Sequence, residues 1–97
     1  MAGTLSTHVL DTAQGKPAAG VAVTLLKGDE VVARGTTDSD GRVRELALGL
    51  APGTYRLTFE LASPFFKRVS LDIVIGEGHH HVPLLLSPYG IASYRGS

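Results

Sequence analysis

Four histidines, and an arginine set just behind an Asp-Gly pair, are the residues of this chain with the most chemistry to offer. His79-His80-His81 stand together, and His8 lies near the other end of the chain. In an extended segment side chains alternate with period two, so His79 and His81 share a face and His80 takes the other. A His-x-His pair on one face is a zinc fragment that needs a third ligand, which His8 could supply. Without metal, the same trio reads as a polar strand start or a pH-sensitive edge. His8 belongs to Leu5-Ser6-Thr7-His8-Val9-Leu10-Asp11, where Thr7 and Val9 point to the opposite face; its plainest meaning is a polar side chain turned to solvent. Arg42 follows Asp38-Ser39-Asp40-Gly41. Asp-Gly predicts a tight turn, which puts Arg42 at a strand start, either solvated or aimed into a site. Tyr94-Arg95-Gly96-Ser97 offers an aromatic ring, a guanidinium, a glycine and a hydroxyl beside a terminal carboxylate, either as a frayed end or as a polar lining.

Other chemistries lack their parts. No Gly-rich loop opens a helix, so nucleotide phosphates have no cradle. There are no cysteines, which removes thiolate nucleophiles and disulfides. Ser6, His8 and Asp11 would not converge as a triad from one strand. Aromatic and basic residues do not interleave as they do where single-stranded nucleic acid stacks.

The elements that must hold these residues are strands. Gly15-Lys16-Pro17, Gly20, Gly28-Asp29, Asp40-Gly41, Pro52-Gly53, Gly76 to Gly78, and Pro88 to Gly90 punctuate the chain at short intervals. Between them the sequence predicts strands near 5–11, 21–27, 30–36, 42–47, 54–60, 67–75, 80–86 and 91–95. Val21, Val23 and Leu25 alternate with smaller or polar neighbours, as do Tyr55, Leu57 and Phe59; Val69, Leu71, Ile73 and Ile75 repeat the pattern. No segment keeps a helical period, so the expected architecture is an all-β sandwich or barrel. Leu84-Leu85-Leu86 is apolar on both faces, as in a strand buried on both sides or lying at a subunit interface.

The bulk numbers suit one small domain over residues 1–97, with 43% hydrophobic residues, enough for a core. A domain this small buries only part of its surface, so association would help it. Nine basic and nine acidic residues leave no net charge, which argues against nucleic-acid or anionic-membrane partners. No apolar run approaches the ~18 residues of a membrane span. Met1 to Asp11 lacks a charged segment leading into an apolar core, so a cytoplasmic location is expected.

Three separated motifs carry a resemblance. Leu5 to Asp11, with Gly15-Lys16-Pro17-Ala18 and Gly20-Val21, resembles the N-terminal signature of the 5-hydroxyisourate hydrolases. Thr37-Asp38-Ser39-Asp40-Gly41-Arg42 resembles their internal turn. His79-His80-His81-Val82-Pro83-Leu84-Leu85-Leu86-Ser87-Pro88-Tyr89-Gly90, ending in Tyr94-Arg95-Gly96-Ser97, resembles their C-terminal signature. The final four residues are the most specific part, because they separate the hydrolases from transthyretin, the hormone carrier of the same fold. The resemblance implies a transthyretin-like sandwich of two four-stranded sheets, and a homotetramer with active sites in a channel shared by subunits. It also implies hydrolysis of 5-hydroxyisourate to 2-oxo-4-hydroxy-4-carboxy-5-ureidoimidazoline in urate breakdown, without a cofactor.

By motif position His8, Arg42, His81 and Ser97 match the family's active-site residues, and Tyr94 and Arg95 match the rest of its terminal signature. In that reading either His8 or His81 takes the proton from water, and the other orients water or substrate. Arg42 meets the developing oxyanion, and Ser97 holds substrate or a histidine. Tyr94 and Arg95 join His8 and Arg42 in binding substrate. His79 matches a neighbouring family histidine; His80 falls where members often carry an aromatic residue.

The chain departs from the family between its fifth and sixth strands, where members carry a helix and a longer loop. Here only Leu61-Ala62-Ser63-Pro64-Phe65-Phe66 fills the gap, and a helix does not fit around that proline. A tight connection is expected. Ile91-Ala92-Ser93 also departs, standing where an aromatic, a serine and a threonine are usual. Two other readings stay open. One is a non-catalytic transthyretin-like protein that binds a small ligand. The other is a zinc-binding structural protein built on His79, His81 and His8.

Overall fold

Alternation along the strands decides which side chains meet in the middle. In the computed structural model, which describes residues 2–96, the chain order is β1 (Gly3–Asp11), β2 (Lys16–Pro17), β3 (Ala22–Lys27), β4 (Glu30–Thr36), β5 (Arg42–Leu50), β6 (Gly53–Glu60), β7 (Arg68–Ile75), β8 (Gly78–Ser87) and β9 (Gly90–Ser93). One sheet runs β4-β3-β6-β7; the other runs β2-β1-β8-β9, with β5 also paired to β1. The inner faces meet through Leu5, Val9, Val82 and Leu84 on one side and Val23, Leu25, Leu57 and Phe59 on the other, all buried. The odd positions expected to face a core do so in β3 and β6. In β7 they are only half-buried up to Ile75, because that strand lies at a sheet edge.

The first sheet has five strands among the described residues, one more than expected. The addition is β2, two residues long. Antiparallel β5 covers the edge of β1 from Gly3 to His8, and β2 continues that edge at Leu10 and Asp11. A turn makes this return possible: the Asp11 carboxylate accepts from the amides of Ala13 and Gln14, and Gly15 takes a left-handed φ of 67°. All other expected strands are present within a few residues of their expected ends.

The last strand stops earlier than expected, at Ser93. Its register with β8 nevertheless continues: Leu84 faces Ser93, and Gly96 forms a lone bridge to His81. In that register Tyr94 falls opposite Pro83, whose nitrogen has no hydrogen to give to the ladder.

The connection between β6 and β7 is short and held, and no helix occurs among the described residues. The Leu61 amide donates to the Lys67 carbonyl. The Ser63 hydroxyl accepts from the amides of Phe65 and Phe66 and donates to the Pro88 carbonyl, which ties this loop to the β8–β9 turn. The Phe65 ring packs edge-on against Phe66, 5.0 Å between centroids.

Candidate active site

Placement of the chemical groups follows from one pairing, the long parallel ladder between β1 and β8. Its register sets Thr4 beside His79, Leu5 beside His80 and Ser6 beside His81. Leu5, Thr7 and Val9 are spent on the core, so Thr4, Ser6 and His8 face outward. His79 and His81 face outward with them. His80 is turned inward and buried, where its Nε2 accepts from the Gly76 amide and its Nδ1 lies 3.3 Å from the Thr4 carbonyl. It therefore pins the β7–β8 turn to β1 and takes no part in the outer face.

On the outer face the side chains form one hydrogen-bonded row. Thr4 Oγ1 lies 2.7 Å from His79 Nδ1. Ser6 Oγ lies 2.9 Å from His79 Nε2 and 2.7 Å from His81 Nδ1. The His8 ring stands 6.5 Å from the His81 ring, centroid to centroid. His8 is held by its Nε2, 3.0 Å from the Asp40 carbonyl oxygen; that contact makes Nε2 the protonated nitrogen.

Arg42 arrives from the other side of β1, where it pairs in register with His8. The turn before it is closely determined. Asp38 Oδ1 accepts from the amides of Asp40 and Arg42, and the Gly41 amide donates to the Asp38 carbonyl. The hydrogen bond from the Arg42 amide is the largest of the influences that hold the Asp38 carboxyl below its ordinary range. Thr37 anchors the turn beneath: its hydroxyl accepts from the Val21 amide and donates to the Ala18 carbonyl. Gly41 then crosses β1 closely, with its carbonyl accepting from the Val9 amide at 2.7 Å.

Gly41 has a φ of 74°, and a Cβ there would strike the Val9 carbonyl oxygen, with Pro17 Cβ 3.0 Å away. We expect Gly41→Ala to cost about 1–2 kcal/mol for the left-handed backbone alone, and more for the collision with backbone. Thermal unfolding should show a lowered midpoint. Arg42 should lose its aim as the turn shifts.

Ser6, Thr7, Arg42, Arg44, His79 and His81 line an open depression of about 470 Å³. No carboxylate is among those lining groups, so the depression suits a ligand or transition state that is electron-rich. His81 is held below the ordinary histidine pKa, first by burial and then by electrostatic repulsion from the Arg42 guanidinium, with the neighbouring imidazoles of His8 and His79 acting in the same direction. Near neutral pH it is therefore an unprotonated imidazole beside a permanent cation.

The remaining candidates are divided. Gly96 lies against His81: its amide donates to the His81 carbonyl at 2.7 Å, and a Cβ on it would come 2.7 Å from His81 Cδ2. Ser97 lies outside the described residues. Tyr94 and Arg95 line a different cavity of about 320 Å³, beside Ile73 of β7 and His80 and Val82 of β8. Within one chain they do not reach the depression that holds Arg42 and His81. Among the described residues no three His, Cys, Asp or Glu groups gather closely enough to hold a metal ion. The His79–His81 pair is joined instead by the Ser6 hydroxyl.

Sequence reasoning missed Ser6 and Arg44. Both carry the same signal, a position two residues from a chosen one on the same strand face: Ser6 before His8, Arg44 after Arg42. No helix among the described residues is long and apolar enough to cross a membrane.

The chain is similar to known proteins along nearly its whole length. The model of the HIUase/Transthyretin family matches residues 5–96. The 5-hydroxyisourate hydrolase of Deinococcus radiodurans is 43% identical over 113 aligned positions, covering 96% of this chain and 95% of the relative. That alignment is longer than the 97-residue chain, so the relative carries a stretch with no counterpart here. The structure of Klebsiella pneumoniae 5-hydroxyisourate hydrolase superposes with a TM-score of 0.90 at 41% identity, covering 98% of this chain and 99% of that one. Sea bream transthyretin in complex with thyroxine superposes with a TM-score of 0.84 at 26% identity, covering 95% and 93%.

Proposed function

Since this chain belongs to the HIUase/Transthyretin family, we propose that it hydrolyses 5-hydroxyisourate, opening a ring amide to give 2-oxo-4-hydroxy-4-carboxy-5-ureidoimidazoline in purine catabolism. The observation that carries the reading is Arg42 and an unprotonated His81 lining one basic depression. The identities favour hydrolysis over simple ligand carriage: 43% and 41% to hydrolases, against 26% to a thyroxine-bound transthyretin.

In this reading His81 is the general base. Its Nδ1 is engaged by Ser6, and its Nε2 takes the proton as water attacks the carbonyl carbon. Arg42 presents a planar fork of donors to the oxygen that gains charge, and Arg44, paired with the Asp40 carboxylate at 3.5 Å, lines the depression beside it. His8, steadied by the Asp40 carbonyl at Nε2, orients water or substrate from its Nδ1. Gly96 packs on His81, which supports a role for the next residue, Ser97, in holding substrate or that histidine. Tyr94 and Arg95 join the substrate pocket through a homotetramer in which a neighbouring subunit completes the channel. Half-buried Leu10 and Leu85 on the outer face of the same sheet suit such a contact. Sedimentation should then give four times the 10.2 kDa chain.

The direct test follows the decay of freshly generated 5-hydroxyisourate by ultraviolet absorbance. The protein should accelerate it in proportion to its concentration. Tight binding of a purine analogue with no acceleration would instead identify a carrier.

The pH dependence has a defined sign. A base must be unprotonated, so kcat/KM should fall on the acid side, with a midpoint below the ordinary histidine value of ~6.5. Arg42→Gln removes one of the charges that disfavour His81 protonation. Its residual activity should show that midpoint moved upward. A midpoint that stays in place would count against His81 as the base.

A further inference from the structure

The row Thr4–His79–Ser6–His81 has a property that hydrogen-bond donor counting exposes. A hydroxyl has one hydrogen, so a serine between two ring nitrogens can donate to only one of them. In the arrangement that uses this hydrogen within the row, it accepts from the other. Ser6 Oγ is within 2.7 Å of His81 Nδ1 and 2.9 Å of His79 Nε2. In that arrangement one nitrogen carries a hydrogen and its counterpart across Ser6 is bare. Thr4 Oγ1, 2.7 Å from His79 Nδ1, can accept from that nitrogen or donate to it. The two imidazoles therefore have linked tautomers, and the row has two self-consistent settings related by moving every hydrogen one step.

We propose that Ser6 and His79 form a proton relay that carries the proton taken up by His81 to the exposed end of the site and returns it. This deepens the hydrolase reading and rests on it. In the resting setting His81 holds its hydrogen on Nδ1, donated to Ser6 Oγ. Ser6 donates to His79 Nε2, and His79 Nδ1 donates to Thr4 Oγ1. His81 Nε2 is bare. When water attacks the carbonyl carbon, its proton goes to His81 Nε2. The Nδ1 hydrogen of His81 passes to Ser6 Oγ, and the hydroxyl hydrogen of Ser6 passes to His79 Nε2. His81 ends neutral and His79 ends as the imidazolium, balancing the oxyanion. On collapse, the C–N bond breaks and the leaving nitrogen takes the hydrogen from His81 Nε2. His79 returns its Nε2 hydrogen to Ser6, and Ser6 returns one to His81 Nδ1. One proton has moved from water to the leaving group, and the row is reset.

The placement of charge gives the relay its purpose. His81 is half-buried beside Arg42, where an imidazolium is disfavoured. His79 is exposed, so water can solvate its charge. Ser6 is little exposed and lies within 2.9 Å of both imidazoles, so the middle of the row needs no bridging water.

Ser6 and His79 are positioning residues in this scheme, and the test must separate proton transfer from support. His79→Gln keeps a polar partner for Ser6 but cannot accept a proton. Ser6→Ala removes the hydroxyl with little change of volume. With 5-hydroxyisourate as substrate, both variants should lose about tenfold or more in kcat with KM little changed. In mixtures of light and heavy water, wild type should give a curved dependence of kcat on deuterium fraction, the mark of several protons moving together. Both variants should give a straight line. Added imidazole should restore kcat to His79→Ala and not to Ser6→Ala. A Ser6→Ala or His79→Gln enzyme with wild-type kcat and a curved dependence overturns the relay. If wild type itself fails to accelerate decay, the hydrolase reading has failed instead.

Discussion

Replacing His81 with alanine should lower kcat/KM for 5-hydroxyisourate by about 10²–10⁴-fold, the usual worth of a positioned general base. The side chain is half-buried on the outer face of its sheet and does not belong to the sandwich core, so folding should be largely spared. Far-ultraviolet circular dichroism and the unfolding midpoint of His81→Ala should stay near wild type. Arg42→Ala should lose about 10²–10³-fold, the cost of removing one oxyanion donor. Because base and oxyanion donor serve the same transition state, the double variant should fall by less than the product of the two losses. A His81→Ala enzyme within threefold of wild type would remove the base from the proposal. A fully multiplicative double variant would show the two groups acting apart.

Phe59→Ala should have the largest effect on stability. Phe59 is fully buried on β6, with Val23 across the ladder on one side and Val69 on the other. Truncating a buried aromatic costs about 3–5 kcal/mol, against the roughly 5–15 kcal/mol that holds a typical native state. Urea unfolding should show a much lower midpoint with little change in slope. Protein concentration should be held fixed, because an associating chain gains stability by mass action. Val74→Ala is the control: its side chain is 76% exposed on β7, so the change should stay within about 0.5 kcal/mol.

Most of the fold was legible because its signals are local. Val23 and Leu25, like Leu57 and Phe59, declare an inner face by alternation. Asp38 to Gly41 declares a turn by its carboxylate and its glycine, and the start of β5 at Arg42 follows. The missing helix was legible too, since Pro64 and the shortness of its segment leave no room for one. What escaped local reading was a return too short to show alternation, β2, and the break in β9, which depends on a proline in another strand.

The site divides along the same line. Side-chain parity placed His79 with His81 and turned His80 away, because alternation on a strand is a property of the strand alone. The motifs named His8, Arg42 and His81. That Ser6 joins two histidines, that Arg42 pairs with His8, and that Tyr94 and Arg95 face another cavity are matters of register between distant segments. Thr4 to Ser6 and His79 to His81 are some 75 residues apart in sequence, and no local preference sets which residue of one strand lies beside which of the other. Burial of Leu5, Val9, Val82 and Leu84 against the second sheet sets it. A slip of one residue would turn those side chains out to water, so the core, and not the site's own residues, brings serine and imidazole together.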